Sequence, residues 1–138
     1  MFSFEDNSER YAYNYPLMYN WLMLKAQGKS LESFFFSYGI KEISIYGVGE
    51  IGELFYNDIK TLKKLNVICF VDKKADAYPN GYYGIPVMTP EEFAAANSTE
   101  MLVITPVFYM NQITTELTAR GVSAQRILSL NQVIYGGA

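Results

Sequence analysis

Ile43-Ser44-Ile45-Tyr46-Gly47-Val48-Gly49-Glu50-Ile51-Gly52 is the stretch on which the fold turns. Its first part, Ile43 to Tyr46, is β-branched and aromatic and reads as a strand. Glycines then stand at 47, 49 and 52, and from Glu50 onward the apolar residues Ile51, Leu54, Phe55, Ile59, Leu62 and Leu65 recur at offsets of three and four. That spacing predicts a helix over about 50–65 with one apolar face. Glycines at such intervals arise by chance in many chains, so their context decides. Here they follow a strand directly and open a helix, and a continuous apolar run, Val67-Ile68-Cys69-Phe70-Val71, comes next. Such a run fits a strand buried on both faces. It ends at Asp72, 20 positions beyond Gly52.

The same alternation continues toward the C-terminus. Asp72 to Ile85 holds Pro79-Asn80-Gly81 and Gly84 and reads as a loop of tight turns. Pro86-Val87-Met88 reads as a short strand. Thr89-Pro90-Glu91-Glu92 joins an N-cap threonine, a first-turn proline and a capping-box glutamate ahead of a helix through Phe93 to Ala96. Met101 to Thr105 is a further buried strand. A turn at Pro106-Val107-Phe108 leads to a helix from about Tyr109 to Arg120, stopped by Gly121, and Ile127 to Leu130 closes the sheet.

Upstream, residues 1–15 are polar and tyrosine-rich, and order is expected to start near Pro16, placed as the first residue of a helix. Leu17, Met18, Trp21, Leu22 and Leu24 form its apolar stripe, and Gly28 its stop. A second short helix is expected from Ser30 as N-cap to Gly39 as C-cap. Alternating strands and helices specify an α/β fold, a three-layer Rossmann-like parallel sheet of about five strands with an N-terminal helical extension. The extension spans residues 1–39 and the Rossmann-like nucleotide-binding domain residues 40–138.

Composition narrows the function. Half of the 138 residues are hydrophobic and 18% are charged, which excludes a disordered chain. A net charge of -3 offers no basic face for nucleic acid. No apolar run approaches the roughly 20 residues of a membrane span, and Met1 to Asp6 lack the basic start of a signal peptide, so a cytoplasmic address is expected. There is no histidine. That removes the commonest general base and metal ligand, and neither a catalytic residue nor a metal site is assigned. The single cysteine, Cys69, sits inside an apolar run and reads as a small buried hydrophobe.

Each part of the glycine stretch has a physical task. Gly47 permits a tight turn, Gly49 lets the backbone approach a pyrophosphate, and Gly52 allows the helix to sit close to the strand. With the N–H groups of Val48, Glu50 and Ile51 and the positive end of the helix dipole, they make an anion site. Asp72 is suited to accept hydrogen bonds from ribose hydroxyls. It would repel the 2′-phosphate of NADP, an objection that Lys73 and Lys74 soften. Thr105 ends a strand that should face the same crevice. The competing readings are that the glycines only make a compact turn, that Asp72 is a turn or cap residue, and that Thr105 caps a helix. Glu50 reads as a first-turn carboxylate favoured by the dipole rather than as a catalytic group. Tyr56 and Lys60 have the Tyr-x-x-x-Lys spacing of short-chain dehydrogenases but fall on the first crossover helix, away from the sheet's carboxyl edge.

Ile45 to Leu54, Phe70-Val71-Asp72-Lys73-Lys74 and Gly84-Ile85-Pro86-Val87 together resemble the small nucleotide-binding domains of bacterial surface-polysaccharide enzymes. Similar modules form the N-terminal part of sugar N- and O-acyltransferases of the sialic-acid and bacillosamine type and precede the catalytic domain of membrane-linked nucleotide-sugar dehydratases. In the acyltransferases the module binds a UDP-sugar, which the resemblance carries onto Gly47, Gly49 and Asp72. The acyltransferases' hexapeptide-repeat β-helix and the dehydratase domain have no counterpart in these 138 residues. The resemblance therefore implies a binding module for a UDP-sugar or NAD(P), working alone, as a homodimer or beside a partner catalytic domain. Two alternatives stand beside it. One is an NAD-dependent oxidoreductase or epimerase, for which about 90 residues of sheet leave little room. The other is a dimerisation unit anchored by Trp21, Phe34, Phe35 and Phe36, residues that core packing also explains.

Overall fold

The structure, a computed structural model, describes residues 4–136, with side chains from Ser8 onward. Five parallel strands form one sheet: β1 (Glu42–Tyr46), β2 (Asn66–Val71), β3 (Val87–Met88), β4 (Met101–Ile104) and β5 (Ile127–Ser129). Their order is β3-β2-β1-β4-β5. The chain winds outward in one direction from β1 to β3, then returns beside β1 as β4 and winds the other way. The strand order thus reverses between β1 and β4, whose carboxyl ends flank a crevice.

Helices α1 (Phe4–Ala26), α2 (Glu32–Ser37), α3 (Glu50–Ile59), α4 (Pro90–Ala96), α5 (Met110–Ala119) and α6 (Leu130–Gly136) complete the fold. The three-layer α/β class read from the sequence is the observed one. Two apolar cores lie on opposite faces of the sheet. One joins Ile43, Ile45, Phe70 and Val103 to α1, α2, α3 and α6 through Leu17, Trp21, Phe35, Phe55 and Val133. The other joins Tyr46, Cys69, Leu102 and Ile104 to α4 and α5 through Phe93, Ile113 and Leu117. Of the apolar stripe expected on α1, Leu17, Trp21 and Leu24 are buried in the same core as the sheet and Met18 packs against it, whereas Leu22 is exposed.

Four local expectations are corrected. Pro16 does not start a helix: it lies inside α1, which already runs from Phe4. Tertiary contacts carry the helix past a residue that removes one backbone donor. The Tyr13 ring meets Phe108 edge-on at 5.6 Å, and Trp21 Nε1 and Lys25 Nζ donate to Asp58 of α3 at 2.8 and 2.6 Å. Ser30 does not cap α2, whose N-cap is Leu31, although the Ser30 hydroxyl still accepts from the Glu32 N–H at 3.1 Å. α3 ends at Ile59 rather than near residue 65. Leu62 and Leu65 reach the core from the following turn, so their helical spacing was fortuitous. Leu130 does not continue β5 but opens α6. Ser129 Oγ accepts from the Gln132 N–H at 3.1 Å while Gln132 Oε1 accepts from the Ser129 N–H at 2.8 Å, a capping box that the sequence Ser129-x-x-Gln132 already contains. At α4 the expected box is present, with Thr89 and Glu92 exchanging bonds of 3.0 and 3.1 Å.

Candidate functional site

The crevice at the strand reversal is built on the turn from β1 into α3. Gly47 has φ +106° and lies against the end of β4, where an added Cβ would stand 2.6 Å from Thr105 Oγ1 and 3.0 Å from Pro106 Cδ. Only glycine fits there on both counts. A Cβ on Gly52 would run into the carbonyl oxygen of Gly47, so the helix sits on the turn as closely as two backbones allow. Gly49 differs. Its φ of -78° suits any residue, and nothing lies within 4 Å of where its Cβ would be. It is the exposed N-cap of α3, with no side chain closing that N-terminus.

Thr105 and Asp72 hold the turn in place. The buried Thr105 hydroxyl donates to the Tyr46 carbonyl at 2.7 Å, locking the end of β4 to the end of β1. Asp72, just past β2, accepts from the Val48 N–H at 3.0 Å through Oδ2 and from the Lys74 N–H at 2.8 Å through Oδ1. The turn-residue reading of Asp72 thus describes what it does in the fold. Each carboxylate oxygen has a further acceptor site beyond these bonds.

Two clefts open on either side of the turn. The first, about 330 Å³, is lined by Gly47, Gly49, Asp72, Lys73, Tyr109 and Gln112. Lys73 pairs with Glu116 of α5 at 3.1 Å along this side. The second, about 590 Å³, lies between α1 and the turn and takes Arg10, Asn14 and Tyr15 together with Gly49 to Gly52. Both are bordered by Gly47, Gly49, Pro106 and Tyr109.

Residues 39–128, which contain the sheet, the glycine turn and Asp72, match the family model described as C2185-like, N-terminal. The chain belongs to the C2185-like N-terminal family. Among proteins with curated descriptions none matches. Among solved structures, UDP-D-quinovosamine 4-dehydrogenase from Vibrio fischeri is similar at 20% identity and a TM-score of 0.49, covering 70% of this chain and 85% of that one. The C2185-like segment begins at residue 39, so α1 and α2 lie before it.

Most residues singled out in the C2185-like segment meet at this one place. Gly47, Gly49, Asp72 and Lys73 line the first cleft, and Gly47, Gly49, Glu50, Ile51, Gly52 and Thr105 border the second. Val48 is buried and contributes its N–H to Asp72. Tyr56 and Lys60 border neither cleft: the Tyr56 ring packs on Phe70 and Tyr83, and Lys60 Nζ donates to Asn57. The sequence reading missed Arg10, Asn14 and Tyr15, for which no local signal exists. It also missed Tyr109 and Gln112, placed in the crevice by the start of α5.

Burial, aided by the charges of Glu116, Asp72 and Glu91, pushes the Tyr46 phenol up to about 12, so it stays protonated at neutral pH. Burial likewise raises the Cys69 thiol, which lies 3.2 Å from Ser44 Oγ under the sheet. No group of three or more metal-ligating side chains occurs among the described residues, and no described helix is long and apolar enough to cross a membrane.

Proposed function

We propose that this chain is a nucleotide-binding module whose ligand rests its diphosphate on the Gly49 end of α3 and its ribose against Asp72. Gly49 is the observation that carries the reading. Gly47 and Gly52 are glycines because the fold leaves no room for a side chain, whereas at Gly49 neither φ nor any neighbour forbids one. A bare N-cap at the strand reversal of a doubly wound sheet suits a phosphate group, which the helix dipole and the N–H groups of the first turn attract. Asp72, beside the same turn, has the acceptor capacity for ribose hydroxyls. The resemblance to polysaccharide-enzyme modules favours a nucleotide sugar over NAD(P) and a role beside a catalytic domain, in the cytoplasm.

A thermal-shift screen of the chain against NAD, NADP, CoA, UDP, CMP and UDP-sugars tests the reading. Ligand at about 100 times its dissociation constant should stabilise the fold by roughly 2.7 kcal/mol. The control is Gly49→Asp, since aspartate is a favoured N-cap and the fold should tolerate it, while its carboxylate occupies and repels the phosphate position. A shift with one nucleotide class that vanishes in Gly49→Asp supports the proposal. Absence of any shift, or one indifferent to the substitution, overturns it.

A further inference from the structure

Helix α1 precedes the family segment, yet its Arg10, Asn14 and Tyr15 share a cleft with the glycine turn. We infer that α1 is the second wall of the ligand site, and that this wall takes a hydroxyl-rich ring carried on the far phosphate of a nucleoside diphosphate. The inference rests on the nucleotide reading of the turn and adds which half of the ligand goes where. Because both clefts border on Gly47 and Gly49, a ligand anchored there by its diphosphate and turned toward Asp72 on one side continues into the α1 cleft on the other. A mononucleotide would leave that larger cleft empty.

The lining fits a sugar ring. The Asn14 Oδ1 is shielded from solvent and finds no hydrogen-bond partner among the described residues. Asn14 also lines this cleft, where its amide group can exchange hydrogen bonds with ring hydroxyls. The rings of Tyr15 and Phe108 supply apolar faces for the C–H side of a pyranose. Arg10 and Glu50 line the same cleft and add charged hydrogen-bonding groups to it.

The test is calorimetric titration of the full chain with UDP-, GDP- and dTDP-hexoses, each compared with its own free nucleoside diphosphate, and with NAD. Wild type should bind one nucleotide sugar at least about tenfold more tightly than the parent diphosphate. Asn14→Leu, and independently Tyr15→Ala, should collapse that ratio to within about threefold while leaving the affinity for the diphosphate unchanged. Tyr15 is 67% exposed, so its truncation keeps the fold. Equal affinity for every sugar and its diphosphate, a ratio that survives both substitutions, or tighter binding of NAD than of any nucleotide sugar overturns the inference and leaves the glycine-turn reading standing. Failure of all ligands to bind, or binding unaffected by Gly49→Asp, removes that reading and the inference with it.

Discussion

Gly52 and Gly49 are three positions apart and have opposite tolerances. Gly52→Ala forces a Cβ onto the Gly47 carbonyl, a backbone atom that cannot swing aside. Overpacking of this kind costs about 1–3 kcal/mol, so urea denaturation should show a lower midpoint with an unchanged slope. Gly49→Ala meets nothing and should cost less than about 1 kcal/mol, the usual range for an N-cap change, while weakening ligand binding. A second sensitive residue lies at the opposite end of the sheet. Ser44 Oγ donates to Glu100 Oε2 at 2.5 Å, and Arg126 donates to the Glu100 carbonyl at 2.9 Å and lies 3.5 Å from its carboxylate. Burial opposes the charge of Glu100, but hydrogen bonds from Ser44, Ser98 and the backbone, with the Arg126 charge, outweigh it and hold the carboxyl below the ordinary glutamate value. Since the folded pKa is the lower one, this stabilisation is complete above the ordinary glutamate range and is lost as pH falls through that range and on through the lowered value. Comparing unfolding free energies at neutral and acid pH should show a steeper acid loss for wild type than for Glu100→Gln. If the two lose stability in parallel, the carboxylate is not a source of it.

At the scale of elements, the ends carry the information and the middles are routine. α4 and α6 both begin with reciprocal capping boxes, Thr89 with Glu92 and Ser129 with Gln132. Loss of such a cap typically costs about 1 kcal/mol, which is the drop expected for Ser129→Ala in chemical denaturation. α1 is tied to α3 through Asp58, whose two oxygens accept from Trp21 Nε1 and Lys25 Nζ. Trp21 is nearly buried, so Asp58→Ala strands its N–H at a cost of about 1–3 kcal/mol. The tryptophan emission should shift in that variant. Pro16 shows why α1 was misread at its start. A proline lowers the local preference for a helix interior, and only contacts with Phe108, α3 and α6, remote in sequence, override it.

For the whole molecule, the C2185-like segment and the preceding helices share one core. Leu17, Trp21, Leu24, Leu31, Phe34 and Phe35 are all buried in the cluster that contains Ile43, Ile45 and Phe70. Of the aromatics weighed as dimer anchors, Phe36 alone is exposed, at 71%. Removing residues 1–38 would uncover the apolar face of the sheet and of α3. The shortened chain should bind a hydrophobic dye and lose a sharp thermal transition, whereas a sharp transition and unaltered nucleotide-sugar selectivity would show that the helices matter to neither fold nor site.

The glycine stretch, the apolar runs of the strands and the Thr89 cap were legible because their physics is local. Strand and helix periods, positive-φ turns and capping boxes are written in neighbouring residues, and together they determined the α/β class and put Gly47 to Gly52 at a helix start. Asp72 and Thr105 were located correctly at strand ends, but their bonds to Val48 and Tyr46 span 24 and 59 residues and no local pattern encodes them. The strand order and the passage of α1 over the turn were likewise decided only in three dimensions. Arg10 and Asn14 are unremarkable surface residues in the sequence. The burial of Leu17, Trp21 and Leu24 fixes how α1 lies, and that packing alone brings them to the cleft.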